Sequence, residues 1–266
     1  MMSQYHSYLP LMEQVAREAG ARALRYFRQE GALRVSFKGQ ADLLCQADGE
    51  AEQLIFDALR AAHPEIAFFG EEYGTRGPEG AKLRWVVDPI DGTTNFISGL
   101  PFAISIALAR GNEPLAGVIF EPTCNEMFSA AIGHGATLNG QPMGVRFESD
   151  PARFVVGTGL PLDDHAFSAG AYDRLHRIRE EVAAVRIVGA CALGFAYVAA
   201  GRLDGFFEGP TGFLDFAAGV VIVKEAGGVV TDFWGSGAFA ENATSTIGAP
   251  ACQRFLQSVT ATAPRI

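Results

Sequence analysis

The stretch Trp85-Val86-Val87-Asp88-Pro89-Ile90-Asp91-Gly92-Thr93-Thr94-Asn95-Phe96 decides how this chain is read. Trp85, Val86 and Val87 are bulky or β-branched, a short apolar run of the kind that fills a covered strand. Pro89 cannot donate to a ladder and is expected to end that strand, so that Asp88 and Asp91 converge at its exit. Gly92-Thr93-Thr94 then opens a helix whose first N–H groups have no intrahelical partner. Hard cations take carboxylates and phosphate takes such N–H groups, so the stretch predicts a metal-and-phosphate site. Asp-Pro and Asp-Gly are also ordinary turn dipeptides, and the surrounding chain has to carry the reading.

The chain has 266 residues, 48% of them hydrophobic and 19% charged, enough to bury a large core in one or two packed lobes. A net charge of −9 speaks against a nucleic-acid groove, which needs a basic stripe. No basic N-terminal segment precedes an apolar run, and no stretch approaches ~20 uninterrupted apolar residues, so neither secretion nor membrane spanning is expected. Cys45, Cys124, Cys191 and Cys252 form no C-x-x-C pair, which predicts reduced thiols in a cytoplasmic protein rather than zinc or disulfides. The histidines are scattered and no G-x-S-x-G occurs, so oxygen-ligated metal is the expected engine of any hydrolysis.

Leu11, Val15, Ala19, Ala23 and Phe27 recur at helical spacing, and Ala51, Leu54, Ile55, Ala58 and Leu59 repeat the pattern up to Pro64. These predict two covering helices. Strand-like runs follow at 66–69, 85–88, 103–109, 117–121 and 127–132, close enough together to suggest a largely antiparallel sheet. From about residue 150 strands at 154–157 and 203–208 alternate with helices near 172–185, 191–200 and from Asp215, which indicates an α/β lobe of about 150–266 after a first lobe of about 1–149.

Three further acids stand out. Glu71 follows the run 66–69 and would sit at a strand exit as Asp88 does, a third hard oxygen ligand or a solvated turn. Asp215, in Phe213-Leu214-Asp215-Phe216-Ala217-Ala218-Gly219, and Asp48 are each placed to cap a helix. Lys224-Glu225-Ala226-Gly227-Gly228 reads as a glycine-capped helix end.

The twelve residues from Trp85 to Phe96 match the signature of the inositol monophosphatase family, and the chain resembles that family from its N-terminal helix onward. Lys38-Gly39-Gln40-Ala41-Asp42-Leu43-Leu44-Cys45-Gln46-Ala47-Asp48 is similar to its K-G-x-x-D-x-V-T-x-x-D segment, with Leu44 for Val and Cys45 for Thr. Arg186-Ile187-Val188-Gly189-Ala190-Cys191-Ala192-Leu193 is similar to R-x-x-G-S-A-A-L, and residues 214–219 to W-D-x-A-A-G with Leu214 in place of Trp.

The resemblance implies a layered α-β-α-β-α sandwich of the inositol monophosphatase and fructose-1,6-bisphosphatase type. It implies two or three Mg²⁺ held by Glu71, Asp88, the Ile90 carbonyl, Asp91 and Asp215, with Thr93 and Asp48 orienting the attacking water. Gly92 and Thr93 would take the phosphate, while Gly189, Ala190, Cys191, Glu208 and Asp215 would face the alcohol. The implied activity is Mg²⁺-dependent, lithium-sensitive hydrolysis of a small phosphorylated polyol, sugar or amino alcohol by a homodimer. Inositol monophosphate leads, histidinol phosphate and fructose-1,6-bisphosphate are alternatives, and a regulatory protein-binding role is a reading of another class. Leu214 is expected to alter substrate choice more than chemistry, because it offers a smaller wall than Trp and no donor.

Overall fold

Apolar faces sort the elements into five layers. The computed structural model describes residues 4–28, 35–37, 43–159, 165–237 and 242–262. Helix α1 (Leu9–Ala23) begins with Pro10 in its first turn, where a missing N–H costs nothing. After it come the paired strands β1 (Val35–Phe37) and β2 (Leu43–Cys45), and then α2 (Gln46–Ala62). Ala16 and Ala19 on α1, and Ala51, Ile55 and Leu59 on α2, are fully buried, the one-sided stripe that the spacing predicted. Phe27 lies beyond the end of α1 but still reaches this core, stacking near Phe96 and Phe102.

The first large sheet follows: β3 (Ala67–Gly70), β4 (Gly74–Arg76), β5 (Arg84–Asp91), short helix α3 (Thr93–Ile97), then β6 (Ala103–Arg110), β7 (Glu113–Glu121), β8 (Glu126–Ala131), β9 (Ala136–Leu138) and β10 (Gln141–Met143). Its order is β10-β9-β8-β7-β6-β5-β3-β4, antiparallel throughout except where β3 runs parallel to β5. Pro89 does not end the strand as its chemistry suggested. β5 runs on to Asp91, and the proline sits in a register shift between Asp88 and Asp91, a place where a missing N–H is tolerated.

Beyond residue 150 come β11 (Val155–Thr158), α4 (His165–Glu181), β12 (Ala184–Ile187), α5 (Cys191–Ala199), β13 (Gly205–Gly212), α6 (Phe213–Glu225), β14 (Val229–Thr231), β15 (Asn242–Gly248) and α7 (Pro250–Thr260). The second sheet has the order β12-β11-β13-β15-β14, with β11 parallel to both neighbours. The helix expected over 172–185 stops at Glu181, and Ala184–Ile187 is an edge strand instead. Val185 had continued the helical spacing; pairing with β11 overrode it. Gly227, at φ +86°, follows the end of α6 as the glycine cap predicted.

Three cores separate the layers. One lies between α1, α2 and a face of the first sheet. A second joins that sheet's other face, through α5 and α6, to the second sheet. The third lies between the second sheet and α4 and α7. The result is an α-β-α-β-α sandwich, with α5 and α6 as its central layer. Among the described residues no helix is long and apolar enough to cross a membrane.

Candidate active site

The register shift in β5 brings two acids together. Asp88 lies opposite Ser105 and Asp91 opposite Ala103, so two residues on β5, Pro89 and Ile90, face one on β6, Ile104. Three steps along a regular strand would point the side chains to opposite faces; one extra residue restores a common face. Val86, two residues before Asp88, belongs to the core against α5 and α6, so both carboxylates face the central layer. Their residues are 3% and 5% exposed, close to complete desolvation.

Each carboxylate has defined partners. Asp88 Oδ1 accepts from the Ile90 N–H at 3.0 Å, a local turn bond. Asp91 accepts from Cys191 N–H and Ala192 N–H, both at 2.9 Å, and so occupies the N-terminus of α5, a hundred residues away in sequence. The helix field and the two amides favour its ionised form. This contact was not legible in the sequence, and it commits the Cys191 N–H to Asp91. Any contact from Cys191 to a ligand is left to its thiol.

Asp215 was expected to cap α6; it is the third residue of that helix instead, and its Oδ2 accepts from the N–H of the capping Gly212 at 2.7 Å. Asp48 is likewise in the first turn of α2 rather than at its cap. It is 1% exposed and accepts from the Thr93 hydroxyl at 3.2 Å, while Thr93 Oγ1 also lies 3.2 Å from the Ile90 carbonyl. Residues 38–42, the start of the segment leading to Asp48, are outside the described residues.

Glu71 directly follows β3, as the sequence suggested. Its turn is held by an acid that the sequence reading passed over. Glu52, fully buried on α2, accepts from Glu72 N–H at 2.7 Å and Tyr73 N–H at 3.0 Å. Burial raises the pKa of Glu52, and those two amides pull it back. The signal available was a glutamate one helical turn after Asp48, beside the apolar stripe. Asn95 was missed as well: its Nδ2 donates to Pro101 O and to Val188 O, each at 2.9 Å, joining the end of α3 to the loop before α5.

Gly92 joins these parts. It caps α3 at φ +85°, a left-handed conformation, and a Cβ there would come within 2.9 Å of the Ala190 Cβ and the Gly189 carbonyl. Only glycine meets both demands. The starts of α3 and α5 therefore abut, with Gly189 and Ala190 beside Gly92, while the Glu208 carboxylate on β13 packs against Gly159.

The electrostatics are one-sided. Burial, then Glu71, Asp91, Asp215 and Asp48, push the Asp88 carboxyl well above its usual range. Burial and Asp215 raise Asp91 to about 8 against the pull of the α5 amides. Burial and Glu71 raise Asp215 to about 7. Glu208 is raised by burial and by Asp91 and Asp215, with the Gly159 amide opposing. Among the described residues no three His, Cys, Asp or Glu side chains are drawn close enough to enclose an ion. Buried carboxylates whose charges raise one another are hard oxygen donors of the kind that suit a divalent cation.

A family model described as "Inositol monophosphatase family" matches residues 4–264. The chain is 40% identical to a protein named inositol-1-monophosphatase from Mesorhizobium japonicum, over 93% of this chain and 94% of that one. It is 38% identical to the Nus factor SuhB of Escherichia coli K12, over 86% of each. The crystal structure of extragenic suppressor protein suhB from Bartonella henselae superposes with a TM-score of 0.90 at 37% identity, covering 96% of this chain and 99% of that one. The Thermotoga maritima IMPase does so with 0.86 at 32% identity, covering 96% and 97%.

Proposed function

Because the chain belongs to the inositol monophosphatase family, we propose that it hydrolyses inositol monophosphate, with Mg²⁺ held by Glu71, Asp88, Asp91, Asp215 and the Ile90 carbonyl. That it is a phosphoric monoester hydrolase follows from the family. The observation that carries the rest is the bulge that sets Asp88 and Asp91 on one face, within reach of the charges of Glu71 and Asp215. Mg²⁺, when bound, supplies the positive charge that polarises the phosphoryl oxygens and acidifies the attacking water.

The chain's own groups do the rest. The Thr93 hydroxyl donates a hydrogen bond to Asp48 or to the Ile90 carbonyl, which leaves its oxygen lone pairs free to accept from the water. Asp48, buried behind it, holds that orientation. The N–H groups of Gly92 and Thr93, at the opening of α3, bind phosphate oxygens and keep the phosphorus in line with the water. Gly189, Ala190, the Cys191 thiol and Glu208 face the alcohol that leaves. No covalent phosphoenzyme is needed.

A phosphate-release screen across inositol, histidinol, sugar and nucleotide phosphates tests the reading. Turnover is expected to be highest on an inositol monophosphate, to vanish with chelator, to return with Mg²⁺ and to fall with Li⁺. Preference for histidinol phosphate or fructose-1,6-bisphosphate would replace the substrate and keep the chemistry; turnover undiminished by chelation would remove the metal. A second reading, that the chain also acts as a protein-binding factor, draws on its 38% identity to proteins named Nus factor SuhB. The complete acidic set favours hydrolysis as the primary role.

We also propose a homodimer in the cytoplasm. Leu100 and Ile187 are 51% and 66% exposed, and the Asn95 amide ties their neighbours Pro101 and Val188 together beside edge strand β12. Sedimentation at micromolar concentration is expected to give about twice the 28.3 kDa of one chain; a species of single-chain mass would reject a stable dimer. The unpaired thiols of Cys124, Cys191 and Cys252 suit a reducing compartment.

A further inference from the structure

The device that pairs Asp88 with Asp91 occurs a second time, in β13. Glu208 lies opposite Ser245 and Thr211 opposite Ala243, so again two residues on one strand, Gly209 and Pro210, face one on its neighbour, Thr244. Gly209 and Pro210 occupy the shift, a glycine that bends freely and a proline with no N–H to pair. The extra residue puts Thr211 on the face of Glu208, the face that looks toward Asp91 and Asp215.

Both side chains end in unmet hydrogen-bonding capacity. Glu208 Oε2 and Thr211 Oγ1 are buried and make no ordinary hydrogen bond; Thr211 Oγ1 has only the weakly accepting Cys191 thiol beside it. A buried polar atom left unsatisfied is costly, and two on one strand face beside the candidate site point to a ligand that satisfies them. Both also bear on one neighbour: the Glu208 charge raises the Cys191 thiol, and the Thr211 hydroxyl pulls it back. The two groups therefore converge on the first residue of α5, where the alcohol is placed under the proposed function.

We propose that Thr211 is a specificity-determining residue which, with Glu208, clamps two hydroxyls on neighbouring carbons of the substrate alcohol. The inference rests on the proposed phosphatase reading and narrows its substrate to phosphate monoesters of vicinal diols. The spacing is suitable. Same-face neighbours on a strand are roughly 6–7 Å apart, a gap that two hydrogen bonds of about 2.8 Å each and one pair of adjacent hydroxyl oxygens can bridge. Glu208 Oε2 accepts from one hydroxyl. Thr211, with one O–H and two lone pairs, donates to or accepts from the next.

The test compares myo-inositol 1-phosphate with cyclohexyl phosphate, which keeps the ring and the ester and lacks the hydroxyls. Thr211→Val preserves shape and removes only the hydroxyl. It is expected to lower kcat/KM on the inositol ester ~10-fold or more, chiefly through KM, and to leave cyclohexyl phosphate within about twofold, read as kcat/KM or, for a poor substrate, as Ki. Thr211→Ser is expected to restore the inositol ester to within about threefold of the parent. An equal loss on both compounds, or no loss on either, overturns the clamp. A parent enzyme that releases phosphate from no monoester overturns the phosphatase reading itself, so the two failures are distinguishable.

Discussion

Asp91→Asn is expected to lower kcat by ~10²-fold or more while the protein remains folded. Asp91 links β5 to the start of α5. Its two oxygens accept from Cys191 N–H and Ala192 N–H, and its charge lies beside that of Asp215. Asparagine retains one acceptor for α5 and turns an NH₂ group toward the other amide, so part of the cap survives while the negative charge is lost. The loss of charge should also be visible without turnover, as weaker Mn²⁺ binding measured by electron paramagnetic resonance on the protein alone. A folded variant with near-normal turnover and unchanged Mn²⁺ affinity would remove Asp91 from the chemistry.

The second large effect concerns pH. In the metal-free protein Asp91 titrates at about 8 and Asp215 at about 7, against an ordinary 3.8. The folded state therefore holds protons that the unfolded chain releases above about pH 4. Groups whose folded pKa is raised contribute stability that is complete below the unfolded value and is lost as pH rises through the folded one. Melting of the chelated protein is thus expected to shift downward between pH 5 and pH 9. Glu50 and Glu126, whose pKa values are lowered by partners, act in the opposite sense but below about pH 4.5, outside this window. Mg²⁺ replaces the protons, so the rise in Tm that it causes should grow by ~5 °C or more from pH 6 to pH 8.5. A metal-free Tm that is flat or rising over that range would show that these carboxylates do not share a buried site.

Much of this molecule was legible before its structure. The periodicity of Val15, Ala19, Ala51 and Ile55 identified two covering helices, because a stripe at helical spacing has few other uses. Trp85-Val86-Val87 identified a covered strand, and Asp88 and Asp91 lie toward its end, buried with it. What misled was local chemistry with more than one outcome. Pro89 is as compatible with a bulge as with a strand end, and only pairing with β6 selects the bulge. Val185 fits a helix or a strand until β11 supplies a partner. Asp48 and Asp215 look like helix caps from their neighbours alone, and each is the third residue of its helix.

By itself the sequence determined the residue types available to the site: hard oxygen donors, a glycine able to take a positive φ, and apolar stripes that commit each element to a layer. Those properties belong to single residues or to short-range spacing, and no tertiary contact is needed to read them. Only the tertiary structure decided which of them meet. Asp91 against the amides of α5, Glu52 beneath the Glu71 turn, Asn95 across to Val188, and Thr211 beside Glu208 all depend on register and on long-range packing. A one-residue shift in pairing changes which face a side chain occupies, and that shift is set by the partner strand, so the chain's own local pattern does not contain it.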